Sequence, residues 1–416
     1  MKRVAIALLL VLLAACDREV PAGSMTAAEI RFEHAIYFLP PGPPPSPAIA
    51  ARFPQRMPVT PRVESHAGYP PPDVETLRDF GRGLTPAQVQ AVQQSKGALV
   101  LELVHPQKDV WRGLRHAAEL TAAIARDVNG LIYDPATGEL FTAEAWERER
   151  LSPWKGELGD VSDHMLVQVY QDGEYVRAVT AGMKKFGLPE LVVEELTWSQ
   201  QRPIVHTINL LAQALAEGTP VGTDGAFDLD LRGIRHPAVR DAHLSSLGEK
   251  AQGKARLLLR RSHDGLVKIS FDAYEGNDSH AKREAMLMAL FGSKDETANV
   301  DHDEKVREAS RIARRRLPEL RAAFNAGLPR GQSILLKAPF ATGDGNTEWM
   351  WVEVTRWNDD AIRGLLMNEP NRIRDLHAGQ QVTIREEKVF DWIRQYPDGR
   401  REGNATAAVL YPNASH

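Results

Sequence analysis

Carboxylates and histidines are the residues of this chain that are best placed for chemistry. Asp228 and Asp230 stand two apart in the apolar segment FDLDL, so both would lie on one face of a strand. Two carboxylates so placed could act as an acid and a base, although an exposed strand face explains them better. Asp163 and His164 are adjacent and could form a base with the carboxylate that orients it.

Metal-dependent and thiol-dependent chemistry is not favoured. His302 lies between two aspartates, but the surrounding polar stretch is typical of a solvated linker. The sequence lacks the motifs of zinc proteases, phosphate-binding loops, dinucleotide folds and serine hydrolases. We therefore expect no metal site and no cofactor.

The single cysteine, Cys16, lies at the end of a short apolar run. Two basic residues precede the apolar residues 4–13, a run too short to cross a bilayer, which takes about 20 residues. The sequence LAAC at 13–16 resembles the lipobox of bacterial lipoproteins. This resemblance implies cleavage before Cys16, acylation of its thiol, and a membrane-anchored body that faces the periplasm. Asp17 resembles an inner-membrane retention signal, which slightly favours the inner over the outer membrane.

Composition restricts the class of the protein. The chain has 416 residues, of which 43% are hydrophobic and 25% charged, as in a globular protein of two or three domains. The formal net charge of −4 and an aromatic content of 7% argue against a nucleic-acid partner.

The pattern of apolar runs and turns predicts an α+β protein with several domains. Its sheets are expected to be mixed or antiparallel, with covering helices. A strand at 98–104, a helix at 112–128 capped at its end by a glycine, and a hairpin that turns at 172–173 are the clearest elements. The predicted division is a signal peptide at 1–15, a tether, first strand and proline-rich connector at 16–72, an α+β region at 73–291, a linker at 292–303, and a C-terminal domain at 304–416. A further boundary near 218 is left open.

The C-terminal region combines an arginine-rich helix with short strands. Pro318 should break or kink this helix. Gly364, inside a strand pattern, indicates a bulge or a sharp bend. Several short strands with frequent turns predict a small, strongly bent sheet or barrel covered by the helix.

A fixed order of short motifs runs through this region: RRRLP at 314–318, LK at 336–337, EWMWVEV at 348–354, IRG at 362–364 and FDW at 390–392. In this order, the segment from about Glu304 to Leu410 resembles the YegJ-like family of bacterial domains of unknown function. The family has no established catalytic residues, so the resemblance assigns none here.

Five residues form the candidate binding surface of the C-terminal domain: Trp349, Trp351, Trp357, Arg311 and Arg315. The tryptophans could bind a ligand if exposed, or could cap a small core. The arginines follow helical spacing and could face anionic lipids or an acidic partner, or form surface ion pairs with neighbouring glutamates.

The leading hypothesis is a non-catalytic, membrane-anchored envelope lipoprotein that binds an unknown envelope protein or ligand. One alternative is a hydrolase that uses carboxylate and histidine chemistry within 73–291. A second is an immunity-type protein that neutralises a secreted toxin. The sequence does not decide whether the protein is an enzyme, but it favours a protein without catalytic activity.

Lipid attachment gives the first testable prediction. Cells fed a clickable fatty acid should label the wild-type protein, whereas Cys16→Ser should remain unlabelled and unprocessed, because serine lacks the thiol that is acylated. In-gel fluorescence and intact mass measure both properties. Equal labelling of the two proteins would exclude Cys16 as the lipid site.

Overall fold

The fold is that of a computed structural model, which describes residues 20–21, 27–42, 44–172, 175–197, 200–248, 251–262, 264–292, 304–342, 347–358, 360–368, 370, 373 and 375–406. Cys16, His302 and residues 293–303 of the predicted linker lie outside these ranges. In the described ranges, three sheets and their covering helices form a mixed α+β architecture, which confirms the predicted fold class.

A two-residue strand, β1 (Val20–Pro21), comes first along the chain and pairs with a strand of the second sheet. The first sheet is built from the strands that come after it in the sequence. Its strands are β2 (Glu29–Tyr37), β3 (Val59–Ser65), β4 (Gly81–Arg82), β5 (Gly97–Pro106), β6 (Leu131–Asp134) and β7 (Glu139–Phe141). Their spatial order is β3-β5-β2-β6-β7-β4, and β4 pairs with β7 in parallel. The accompanying helices are α1 (Thr76–Phe80), α2 (Pro86–Val92), α3 (Val110–Val128) and α4 (Ala143–Trp146).

Local sequence signals explain α3 and α4. The apolar stripe of α3 is buried against the first sheet, as predicted from its spacing. Asn129 ends α3 in a left-handed conformation, one position before the glycine expected to end it. The hydroxyl of Thr142 accepts a hydrogen bond from the Ala145 amide at 3.1 Å and caps α4, which continues as a π-helical turn, Glu147–Leu151.

The second sheet contains β8 (Leu166–Asp172), β9 (Tyr175–Ala181), β10 (Leu191–Leu196), β11 (Ala226–Asp230), β12 (Lys254–Arg261) and β13 (Val267–Ser270). The spatial order is β1-β12-β13-β10-β9-β8, with β11 also on β12. Strands β8 and β9 form the predicted hairpin. The helices of this part are α5 (Gln201–Ala216), α6 (Pro237–Ser245) and α7 (Ser279–Phe291).

One apolar core connects the first two sheets. It contains residues from β2, α3, α5, β11 and α7, among them Ile36, Ile208, Phe227 and Leu290. The core therefore continues across positions 72 and 218, two of the boundaries that the sequence suggested. Together, these sheets and helices form the first body of the protein.

The C-terminal domain has a separate core. Its elements are α8 (Glu304–Arg314), α9 (Leu317–Asn325), β14 (Ser333–Ala341), β15 (Thr347–Asn358), β16 (Ala361–Leu366), β17 (Gln381–Arg385), β18 (Asp391–Gln395) and β19 (Arg401–Gly403). The order β17-β16-β15-β14-β18-β19 is antiparallel throughout and open, so the sheet is bent rather than closed into a barrel. As predicted, the chain breaks at Pro318, which lies in the first turn of α9.

The predicted irregularity at Gly364 is a bulge in the neighbouring strand. The register of β15 against β16 shifts between Val354 and Arg356, directly beside Gly364. A Cβ atom on Gly364 would lie 2.2 Å from the carbonyl oxygen of Glu353, so this close approach requires glycine.

Membrane-spanning helices were sought throughout the described ranges. None of the helices there combines the length and the apolar character needed to cross a bilayer.

Candidate functional site

A surface groove of about 520 Å³ lies where the end of α8 approaches the loops around β16 and β17. Two predicted binding residues, Arg311 and Arg315, line it. Its full lining is Arg311, Arg314, Arg315, Leu317, Pro318, Asp360, Glu386 and Glu387. Because α8 ends here, three guanidinium groups are gathered along one wall.

The groove has walls of opposite charge. Arg311 forms an ion pair with Glu308 of its own helix at 2.5 Å. This agrees with the expectation that the arginines of this helix pair with neighbouring glutamates. Arg314 and Arg315 are exposed and form no ion pair with any described residue. On the facing wall, a carboxylate oxygen of Glu386 accepts hydrogen bonds from Trp357 Nε1 at 2.7 Å and from Arg321 at 3.3 Å. Two cations are therefore available to a ligand beside a fixed carboxylate.

The three predicted tryptophans occupy different places. Trp357 is 2% exposed and lies in the core beneath the groove, where its indole positions Glu386. Trp349 and Trp351 are half-buried on the opposite face of the sheet. Trp349 packs on Phe390 with ring centroids 4.4 Å apart, and the Lys337 ammonium lies 5.6 Å from the Trp351 ring. The structure thus brings Arg311, Arg315 and Trp357 together and separates the other two.

A second notable site is a network of charges buried inside the first body. Lys185, in the turn Met183–Phe186, pairs with Asp134 at the end of β6, and both side chains are at most 1% exposed. Burial raises the pKa of Asp134, but the positive charges of Lys185 and its neighbours outweigh burial and hold the pKa below its ordinary value. Burial lowers the pKa of Lys185 against the attraction of Asp134.

Arg150 extends this network from the π-helical turn. It pairs with Glu139, whose other oxygen accepts a hydrogen bond from Arg82 at 2.7 Å, and it also donates to the carbonyl of Asp163. Its guanidinium lies 4.7 Å from the ring of Phe141. A π-helical turn is rare and often marks a functional or strained position.

Two neutral histidines border the network. The hydroxyl of Thr121 donates to a carbonyl of α3, so it accepts from Nδ1 of His34 at 2.9 Å and leaves Nε2 unprotonated. Burial lowers the pKa of His34 to about 3 despite the nearby Asp134, and burial also lowers the pKa of His164. Nε2 of each ring is buried and has no hydrogen-bond partner among the described residues.

A smaller cleft of about 190 Å³ lies between α5, α6 and the segment before β8. His206 and His243 face each other across it, with ring centroids 6.1 Å apart. Burial lowers the pKa of both imidazoles, and His243 lowers the pKa of His206 further. Asp160 lies at the rim and accepts hydrogen bonds from the amide and hydroxyl of Ser162.

The remaining predicted carboxylates have separate surroundings. Burial and the nearby Asp160 raise the pKa of Asp163 to about 6. Asp228 and Asp230 lie at the surface and pair with residues directly opposite on β12, with Arg256 at 3.3 Å and Lys254 at 3.0 Å. These two carboxylates fit the exposed strand face that the sequence also allowed.

Sequence reasoning missed the groove's acidic wall, the partner of Asp134, and the facing histidines. Asp134 precedes a PATG turn, which predicts a local hydrogen bond, and its carboxylate does accept one from the Ala136 amide at 3.0 Å. No local signal connects it with Lys185, 51 residues further along the chain. His206 and His243 similarly come from different helices.

Comparison with known proteins identifies one part of the chain. Residues 303–415 match DUF2314, a family described as an uncharacterized protein conserved in bacteria. The match covers about a quarter of the chain and coincides with the separate C-terminal core. It confirms the resemblance to a bacterial family of unknown function. No curated protein and no solved structure matches the chain.

The buried ion pair gives a prediction for stability. Lys185→Met should lower the free energy of unfolding by about 3–5 kcal/mol, because it leaves the Asp134 carboxylate buried without its cation. Lys185→Met with Asp134→Asn should recover at least about 1 kcal/mol, because the amide is neutral and still accepts from Ala136. Urea denaturation followed by circular dichroism measures both changes.

The matched control is Arg52→Met, which removes an exposed pair with Asp127 and should cost at most about 1 kcal/mol. If Lys185→Met cost no more than this control, the buried pair would not stabilise the first body as argued.

Proposed function

We propose that this protein is a membrane-anchored envelope lipoprotein that binds an anionic partner through the groove of its C-terminal domain. The observation that carries the proposal is the pair of exposed guanidinium groups, Arg314 and Arg315, at a groove of about 520 Å³. Guanidinium groups bind carboxylates and phosphates through paired hydrogen bonds, so an acidic partner suits this wall.

The acidic wall limits which partners fit. Glu386 is held in place by Trp357 and Arg321, and it would repel a ligand that is negative over its whole length. The preferred partner therefore presents an acidic group to α8 and a polar or positive group to Glu386. A protein segment with both charges meets this requirement.

The anchoring to the membrane and the assignment of the C-terminal domain to the YegJ-like family are also part of this proposal. Anchoring rests on Cys16 and the apolar residues before it. The YegJ-like assignment rests on the order of motifs from 314 to 392. The immunity-type alternative differs only in the partner, which would be a secreted toxin.

Affinity capture of the full-length protein from its own detergent-solubilised membranes tests the proposal. Arg314→Glu with Arg315→Glu should reduce partner recovery at least about tenfold, because two attractive charges become repulsive. Quantitative mass spectrometry measures recovery, and rising salt should weaken capture by the wild-type protein.

The control for this experiment is Arg52→Glu with Arg56→Glu, an equal charge change on the exposed surface of the first body. It should capture the partner as the wild type does. Equal recovery by the groove variant and the control would exclude the groove as the binding site.

The cleft favours a second candidate, a hydrolase within the first body. Its two imidazoles are neutral near pH 7 because burial lowers the pKa of each, and we assign His243 as the general base that would accept a proton from water. Asp160 lies close enough to His243 to stabilise the imidazolium that would form.

A screen with ester, phosphoester and peptide substrates tests this alternative. Any activity of the wild type should fall at least about 100-fold in His243→Gln, because the general base is lost. His116→Gln, on α3, is the control and should keep full activity. An activity that survives His243→Gln, or no activity on any substrate class, would contradict a catalytic cleft.

A further inference from the structure

The two bodies of the protein meet at the first turn of α7. A Cβ atom on Gly379 of the C-terminal domain would lie 2.9 Å from the Cβ of His280, so the two backbones approach closely here. Beside this contact, the amide of Asn277 and Nδ1 of His377 lie 3.0 Å apart. A third contact joins the Arg202 guanidinium and the Asp398 carbonyl at 3.4 Å. This interface is polar, and the two apolar cores do not merge across it.

His280 is the unusual residue of this interface. It is 2% exposed, and neither ring nitrogen has a hydrogen-bond partner among the described residues. Most buried polar atoms in proteins are paired, so an imidazole with two unpaired nitrogens needs an explanation. Gly379 covers one side of the residue, which makes its burial depend on the docked C-terminal domain.

A cation that already lies near His280 disfavours protonation of this histidine. Arg283, one turn further along α7, is buried and donates to the carbonyl of Glu195 at 2.6 Å and to the side chain of Gln200 at 2.9 Å. Burial lowers the pKa of Arg283 to about 10, so the guanidinium is still charged at neutral pH. A protonated His280 would place a second cation beside it.

The acidic groups nearby are already engaged. Asp278 caps α7 by accepting from the Ala281 amide at 2.8 Å, and Glu284 accepts from Gln200 at 2.7 Å. The Glu195 carboxylate accepts from Ser279 at 3.2 Å. The C-terminal domain brings His377, a second titratable group, to the same contact. Within the described residues, no carboxylate forms a hydrogen bond with either ring nitrogen of docked His280.

We propose that His280 is a pH-sensitive latch: the C-terminal domain docks on neutral His280, and protonation of this side chain releases it. Release exposes the ring to water, where an imidazolium is well solvated. Burial, with a contribution from Arg283, lowers the pKa of docked His280 to about 3, whereas an exposed histidine titrates near 6.5. Docking is thus fully favoured above about pH 6.5 and weakens as the pH falls below it.

Electron–electron distance measurements on the full-length protein test the latch. Spin labels at Arg52→Cys and Arg385→Cys, both exposed, report the separation of the two bodies. At pH 8 the wild type should give one narrow distance. From pH 6.5 to 5 a broad, longer distribution should grow, as the docking constant falls about tenfold per pH unit.

Four variants identify the titrating residue. His280→Phe keeps an aromatic ring without a titratable nitrogen and should stay docked at pH 5, and His280→Leu is a second apolar version should the larger ring not fit. His377→Gln keeps an amide for Asn277 and should release like the wild type, as should His116→Gln. A wild type that stays docked at pH 5, or a His377→Gln variant that loses the pH response, would overturn the proposal.

Discussion

Two almost fully buried ion pairs, Lys185 with Asp134 and Arg150 with Glu139, connect the parts of the first body. They join the hairpin of β6 and β7 to the turn before β10 and to the π-helical turn after α4. Removing four charges from water is costly, and the attraction within each pair must offset that cost. The pairs therefore require a fixed geometry, and the surrounding elements cannot shift independently.

In the C-terminal domain, the bulge in β15 is the feature that determines which side chains face the core. The bulge in β15 opposite Gly364 changes the face on which the following residues lie. Met350 and Val352 point into the core before the bulge, and Trp357 does so after it. Without the extra residue, Trp357 would face away from α9, and its indole could not reach Glu386. The bent strand thus connects the core of this domain with the acidic wall of its groove.

Sequence patterns predicted most elements that depend on neighbours along the chain. The helix at 110–128, the hairpin of β8 and β9 and the break at Pro318 all arise from local backbone preferences and short-range hydrogen bonds. The bulge at Gly364 was likewise predictable, because glycine in a strand indicates a close backbone approach. The match of residues 303–415 to DUF2314 agrees with the expectation of a bacterial domain of unknown function in this region.

The sequence by itself determined the fold class, these local elements and the resemblance of the C-terminal domain to a bacterial family of unknown function, because each depends on residue types at short spacings. It also placed Arg311 and Arg315 close together, although α8 ends at Arg314 and Arg315 lies in the turn that follows. Only the tertiary structure decided that Trp357 is buried beneath their groove while Trp349 and Trp351 lie on the other face. It likewise paired Lys185 with Asp134 and covered His280 with Gly379. These contacts join residues far apart along the chain, and their burial is set by packing that no local pattern records.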